Sequence, residues 1–345
     1  MSTILFDPYT GVGHVFSSLK LAILLREKGH HVIYTGNKKI CQPAIDKGLD
    51  FVPHNPYFMS HDDLKDKIFK GKSIFENLAR AVDRSALKST TKYVTEFRDI
   101  IKEISPNLVV LDEENILKYF IYKDLNIPII RYQTKPDRGR GVNVPPFSSY
   151  FCPKIGNPFS SIWVDLLWIG KTLRNHCKVW KDAVASFGQG SFCVYQKIIK
   201  SMGYRFKDDF SFTSSFLFAV KKGLVLNLSP INFDFPKALK PDVFNVGPLR
   251  DFSFRLNANS ENPRFEVLCR NIEKQKQLHN RFVIYCSMGT VTATFKKKLF
   301  TFFSKMKKVA ELKPDIMFVF SISENLDVES LLPCPSNVTI FTSVP

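Results

Sequence analysis

Two side chains in this sequence are suited to moving a proton. His14 ends the turn "TGVGH", which directly follows the apolar run "TILFD", and Asp112 closes the apolar run "NLVVLD". A neutral imidazole can take a proton from a hydroxyl near pH 7. A carboxylate beside it can hold one tautomer and stabilise the imidazolium once formed. His14 falls on the first turn of a helix, whose partial positive charge disfavours imidazolium, so the ring is expected to be neutral. The competing reading is that a histidine after a glycine turn only caps or packs the helix start. Two further functions compete for "GVGH". A dinucleotide turn wants a third glycine where "GVGHVF" has Phe16, and an acid after the second strand where the sequence reads "YTGNK". A phosphate-cradling loop would end in Gly-Lys-Ser/Thr, which is absent here.

The elements that must position these residues alternate cleanly. Thr3–Asp7 reads as a buried strand, and His14–Lys28 as a helix with Leu19, Ala22, Ile23 and Leu24 inward and Gly29 as its stop. Val32–Tyr34 and Leu49–Pro53 read as strands flanking a helix over Lys39–Lys47. Long helices are expected between residues 68 and 104, then a strand to Asp112, a helix over "ENILKYFIYKDLN" and a strand over 127–132. Strands separated by helices of this length make a doubly wound parallel sheet, and ligands bind outside the carboxyl ends of its strands. Gly11 and Gly13 permit the tight turn that sets His14 at that edge, and Asp112 ends a strand at the same edge.

Residues 135–160 hold five prolines and three glycines, and an ordered loop of this length is usually functional. Phe147, Tyr150 and Phe151 on it, with Trp163 and Trp168 on the following helix, are candidates together with Gly13 to line an apolar pocket; core packing is the alternative. "SSIWVDLLWIG" (160–170) reads as a core or pocket helix, or as an amphipathic helix lying on a surface. Further helices run to Gly203 and a strand to "GLVLNLS" (223–229). The proline-rich stretch that follows suggests an N-terminal domain over 1–235, a linker over 236–264 and a partial second domain over 265–345. The latter is expected to run helix (Phe265–Lys276), strand (281–290), basic helix (295–312) and strands over 316–322 and 337–345.

The chain has 345 residues, 44% hydrophobic and 23% charged, which suits two globular domains. Its formal net charge of +17 favours anionic partners: phosphates, nucleic acid or an acidic membrane face. Lys296–Lys298, Lys305, Lys307 and Lys308 border an apolar helical face and read as a solvated surface, and no nucleic-acid-binding motif is present. Seven dispersed cysteines without a CxxC pair argue against a disulfide framework and a zinc site. With a strand opening the chain and no secretory pattern, a cytoplasmic location is expected. No run approaches the ~20 apolar residues of a spanning helix.

The ordered set "GVGHVFSSLKLAILLREKGHHVIYTG", "NLVVLD", "NLSPINFDFP", "FNVGPL", "VIYCSMGT" and "NVTIFTSVP" resembles family 1, UDP-glycosyltransferase-like enzymes, particularly their bacterial macrolide-type members. The resemblance spans essentially the whole chain. It implies the α/β GT-B fold: two Rossmann-like, doubly wound domains, the first binding acceptor and the second a nucleotide-sugar. It implies His14 as general base on an acceptor hydroxyl and Asp112 as its partner. It also implies that Ser287, Gly289 and Thr290 approach the diphosphate of the donor, for which an ordinary strand–helix turn is the bland reading. Transfer of a hexose from UDP-hexose to a small apolar hydroxylated acceptor would proceed with inversion. The donor is a co-substrate, no cofactor is implied, and the absence of a DxD triplet fits a metal-independent site.

These motifs stop at "VP", where the resembled enzymes begin their uracil-, ribose- and diphosphate-gripping signature and continue to an acid–Gln pair on the sugar. The expectation for this polypeptide alone is therefore a truncated form with weak UDP binding and slow or absent turnover, unless a second chain complements it. A non-catalytic protein binding an apolar ligand or a partner on the same scaffold is the alternative. A third reading, a membrane-surface enzyme, rests on the charge.

Overall fold

The computed structural model describes residues 1–54, 82, 84–136, 139–147, 149–154, 156–230, 241–247, 249, 263–279, 282–287, 296–322 and 327–342. The chain divides into two compact units, Met1–Arg250 and Asp251–Pro345. The first is built on seven parallel strands: β1 (Thr3–Asp7), β2 (His31–Gly36), β3 (Asp50–Pro53), β4 (Leu108–Asp112), β5 (Ile129–Gln133), β8 (Val225–Asn227) and β9 (Val243–Asn245). A two-residue antiparallel pair, β6 (Phe210–Ser211) with β7 (Ala219–Val220), stands apart from this sheet.

The sheet order is β3-β2-β1-β4-β5-β8-β9. The chain winds outward from β1 through β2 to β3, then returns to place β4 on the other side of β1. The direction of winding thus reverses between β1 and β4. Such a switch point opens a crevice at the carboxyl ends of the two strands, because the connections leave in opposite directions.

Alternation along the strands supplies two cores, one on each face of the sheet. Ile4, Phe6, Val32, Tyr34 and Val110 pack toward α1 (Val12–Glu27) and α2 (Lys38–Ile45). Leu5, Ile33, Val109 and Leu111 face the other way, onto α3 (Ser85–Ile104), α4 (Ile116–Asp124) and α6 (Ser191–Ser201). Each fully buried side chain of this size contributes roughly 1.5–3 kcal/mol relative to exposure. Between α4 and α6 runs α5 (Pro158–Ala185), started by Asn157, whose side chain accepts from the Phe159 amide. A single turn, α7 (Phe206–Asp209), precedes β6.

The second unit has a three-stranded parallel sheet in the order β10 (Val283–Ser287), β11 (Met317–Ser321), β12 (Val338–Phe341). Helices α8 (Pro263–His279) and α9 (Lys296–Leu312) accompany it. Leu299, Phe303 and Ala310 are buried while Lys297 and Lys308 are exposed, the solvated basic face expected for α9.

Several element readings are corrected. The stretch read as a linker contributes β9 to the first sheet, pairing Val243–Asn245 with Val225–Asn227. Helix α1 starts at Val12, two residues earlier than expected, because Gly11 is extended and serves as its cap position. Of the helices expected over 68–104, the segment up to residue 81 lies outside the described residues.

Candidate active site

The switch point between β1 and β4 brings His14 and Asp112 together. His14 stands on the first turn of α1, and its amide closes the turn onto the Gly11 carbonyl at 2.9 Å. Its side chain does not fold back onto the helix start. Instead Nδ1 meets Oδ2 of Asp112 at 2.6 Å, across 98 residues of sequence. Asp112 is 2% exposed and His14 15%, so the carboxylate lies beneath a ring whose edge is open. The second carboxylate oxygen accepts from the Glu114 amide at 2.9 Å. With Nδ1–H donating to Asp112, Nε2 carries the lone pair and is the atom able to take a proton.

Gly11 keeps that edge clear. A Cβ there would come within 3.2 Å of His14 Cδ2 and 3.9 Å of Nε2, which is tight against the ring. Tyr9 sits beside the imidazole with ring centroids 5.5 Å apart. Behind the pair, Asn115 is buried and donates to the carbonyls of Asp7 at 3.1 Å and Pro8 at 3.2 Å. It therefore ties the loop leaving β4 to the loop leaving β1, the two segments that carry the acid and the base. Asp7 itself is wholly buried and held by the Lys118 ammonium and the Tyr122 hydroxyl.

The electrostatics oppose the expectation of a neutral ring. Burial pushes the His14 imidazolium toward deprotonation, as Lys135 also does. The hydrogen bond and charge of Asp112, aided by Glu114, outweigh them and raise its pKa above the ordinary 6.5. The helix N-terminus is thus not the deciding influence. Glu114 is itself paired with Lys135, Oε1 to Nζ at 2.6 Å, so the mouth of the site carries a compensated charge pair. Among the described residues no group of three or more His, Cys, Asp or Glu side chains is arranged to hold a metal ion.

Solved structures share this architecture. The chain superposes over its full length on the glycotransferase of kitacinnamycin, covering 72% of that chain with a TM-score of 0.54 at 15% identity. The GT-B fold is shown. CalG4, the calicheamicin glycosyltransferase, matches equally, with 71% of its chain covered, a TM-score of 0.54 and 15% identity. The spinosyn rhamnosyltransferase SpnG gives a TM-score of 0.50 at 13% identity, again over all of this chain and 71% of that one. No protein-family profile matches the sequence. No curated protein is significantly similar to it.

Within this GT-B fold the other candidate residues scatter. Ser287 ends β10 of the second unit, at the carboxyl end of a strand, while Gly289 and Thr290 lie outside the described residues. Gly13 is exposed on the first turn of α1. Trp168 is a core residue: it is fully buried, and its indole N–H donates to the Val144 carbonyl at 2.7 Å. Phe147 and Tyr150 are exposed, Phe147 stacking on Phe216 with centroids 5.8 Å apart. Phe151 is half-buried, and Trp163 points outward from α5. The five aromatics therefore do not form one enclosed lining. Glu114, Asn115 and Lys135 are given no role by the sequence, where Gly11 reads only as permitting the turn. The one available signal was "LDEEN", three polar residues directly behind the acid.

Proposed function

We propose that this chain belongs to an inverting glycosyltransferase that moves a hexose from a nucleotide-sugar, UDP-hexose by the sequence resemblance, to a hydroxyl of a small apolar acceptor. The observation that carries the reading is the 2.6 Å contact between His14 Nδ1 and Asp112 Oδ2 at the switch point of the first sheet. An alcohol is a poor nucleophile at neutral pH. Transfer of its proton to Nε2 as its oxygen attacks the anomeric carbon raises the electron density on that oxygen. The oxygen–carbon bond forms as the bond from carbon to the departing diphosphate breaks, on the opposite face, which inverts the configuration. Asp112 stabilises the imidazolium so formed. The diphosphate leaves with negative charge, and Ser287, Gly289 and Thr290 are the residues proposed to receive it with backbone N–H groups.

The sequence resemblance and the GT-B fold shared with natural-product glycosyltransferases support the acceptor class. The test is transfer from UDP-hexoses to a panel of hydroxylated aglycones, by the chain alone and by any longer form of the same polypeptide. His14→Ala is expected to lower turnover by on the order of 10²–10⁴, the usual contribution of a positioned base, while binding of the apolar acceptor survives. Unchanged turnover in His14→Ala would overturn the assignment of the base. Acceptor binding without transfer in any form of the polypeptide would favour a non-catalytic binding protein.

A further inference from the structure

Helix α5 is apolar on its outside. At 3.6 residues per turn, Phe159, Trp163, Leu166, Leu173, Trp180 and Val184 fall within roughly 100° of arc, and every one of them is more than half exposed. The inward face is served by Ser160, Val164, Trp168 and Asn175, all buried. The helix therefore packs on its own unit with one side and presents a second apolar stripe to solvent. A contiguous exposed patch of this kind marks a docking surface.

What lies beside the stripe says what docks. Lys171, Arg174, Lys178 and Lys181 follow one border, spaced three and four residues apart, with Asp182 the one acid on that side, so the border carries net positive charge. Partial burial, and then the charges of Arg174 and Lys178, lower the pKa of Lys171, so the row repels itself. The acid nearest the opposite border, Asp165, is already paired with Arg140. An antiparallel second copy laid on this face would set one cationic border against the other. The partner that complements both rows is a layer of apolar chains edged by negative charge.

We propose that α5 docks this protein on an anionic lipid surface. The helix lies in the plane of the interface, with its aromatic and aliphatic stripe among the acyl chains and its cationic row at the headgroups. At about 1.5 Å per residue its 28 residues give a contact about 42 Å long. It docks on the surface only, because among the described residues no helix is long and apolar enough to cross a membrane. The proposal is independent of the sugar-transfer reading and stands or falls without it.

The test uses the full chain with vesicles of phosphatidylcholine alone and of phosphatidylcholine mixed with phosphatidylserine. Co-flotation is expected with the mixed vesicles and is reduced by salt. A blue shift of tryptophan emission should accompany it, since Trp163 and Trp180 are exposed while Trp168 is already buried. Reversing all four charges (Lys171→Glu, Arg174→Glu, Lys178→Glu, Lys181→Glu) should weaken partitioning by on the order of a hundredfold or more. Leu166→Glu with Leu173→Glu should weaken it at least tenfold, an order-of-magnitude expectation from the apolar area withdrawn. Both variants alter surface positions, of which Lys171 alone is half-buried, and circular dichroism checks that they fold. Three results would each overturn the proposal. One is the absence of flotation on anionic vesicles. Another is flotation that neither variant weakens. The third is a dimer in sedimentation equilibrium that Leu166→Glu dissolves while vesicles are ignored, which would assign the stripe to a second copy.

Discussion

His14 and Asp112 act as one unit, and their chemistry depends on which of two opposed influences is larger. Burial favours the neutral ring, while the adjacent carboxylate favours the charged one, and in the intact protein the carboxylate prevails. Asp112→Asn preserves the shape of the contact and removes its charge. Burial then decides, and the His14 pKa should fall from above 6.5 to below it in an NMR titration of the imidazole. If the chain turns over substrate, the acid limb of its rate profile should move down with it. A His14 pKa that stays raised in the variant would assign the shift to another group. The pair was legible in the sequence because each residue follows an apolar strand run, and parallel strands end at one edge. Its protonation balance was not. It is set by Asp112 and Glu114, which reach the ring only after the sheet brings β1 and β4 side by side.

At the scale of elements, the pair is only as well placed as the two loops that carry it. Asn115 bridges those loops with two hydrogen bonds to buried carbonyls. Asn115→Ala leaves both carbonyls short of a donor and should destabilise the first unit by roughly 1–3 kcal/mol in urea unfolding. A merely structural role would end there. A positioning role adds that the His14–Asp112 contact lengthens, so the His14 pKa drifts back toward 6.5 in the folded variant. Asn115→Asp should not rescue, because an ionised carboxylate cannot donate to the Asp7 and Pro8 carbonyls. No composition or periodicity argument could have found this residue, since its role depends on two loops about 107 residues apart meeting. The strands themselves were readable from alternation and glycine stops. β9 was not: three residues, Val243–Asn245, inside a proline-rich stretch carry too little pattern to outweigh the prolines. Helix α5 was half readable, because one apolar face was expected and the protein has two.

For the molecule as a whole, acid sensitivity follows from a histidine outside the His14–Asp112 pair. His54 is buried beyond β3, its ring packed at 4.8 Å between centroids against Phe97. Thr35 Oγ1 donates to the Val52 carbonyl, so the 3.0 Å contact between Thr35 Oγ1 and His54 Nδ1 is read with Nδ1–H as donor. Nε2 is then a bare lone pair, with no partner among the described residues. Such a ring tolerates burial only while neutral: desolvation, and then the Lys118 charge, lower its pKa from 6.5 to about 2. Because the folded value is depressed, the contribution to stability is present above pH 6.5 and is lost as the pH falls. The unfolded chain takes up a proton that the folded one refuses. Between those two values the loss is about 1.4 kcal/mol per pH unit. His14, with a raised folded value, contributes in the opposite sense, fully below pH 6.5 and fading above it. Asp7, raised by burial, also opposes the trend in acid. The measurement must therefore be a difference. Unfolding free energies of the protein and of His54→Leu, taken from urea midpoints across pH 4–6.5, should diverge with a slope of about 1.4 kcal/mol per unit. The variant gains relative to the parent as the pH drops. Parallel curves would mean that His54 is protonated in the fold, with a counter-charge nearby.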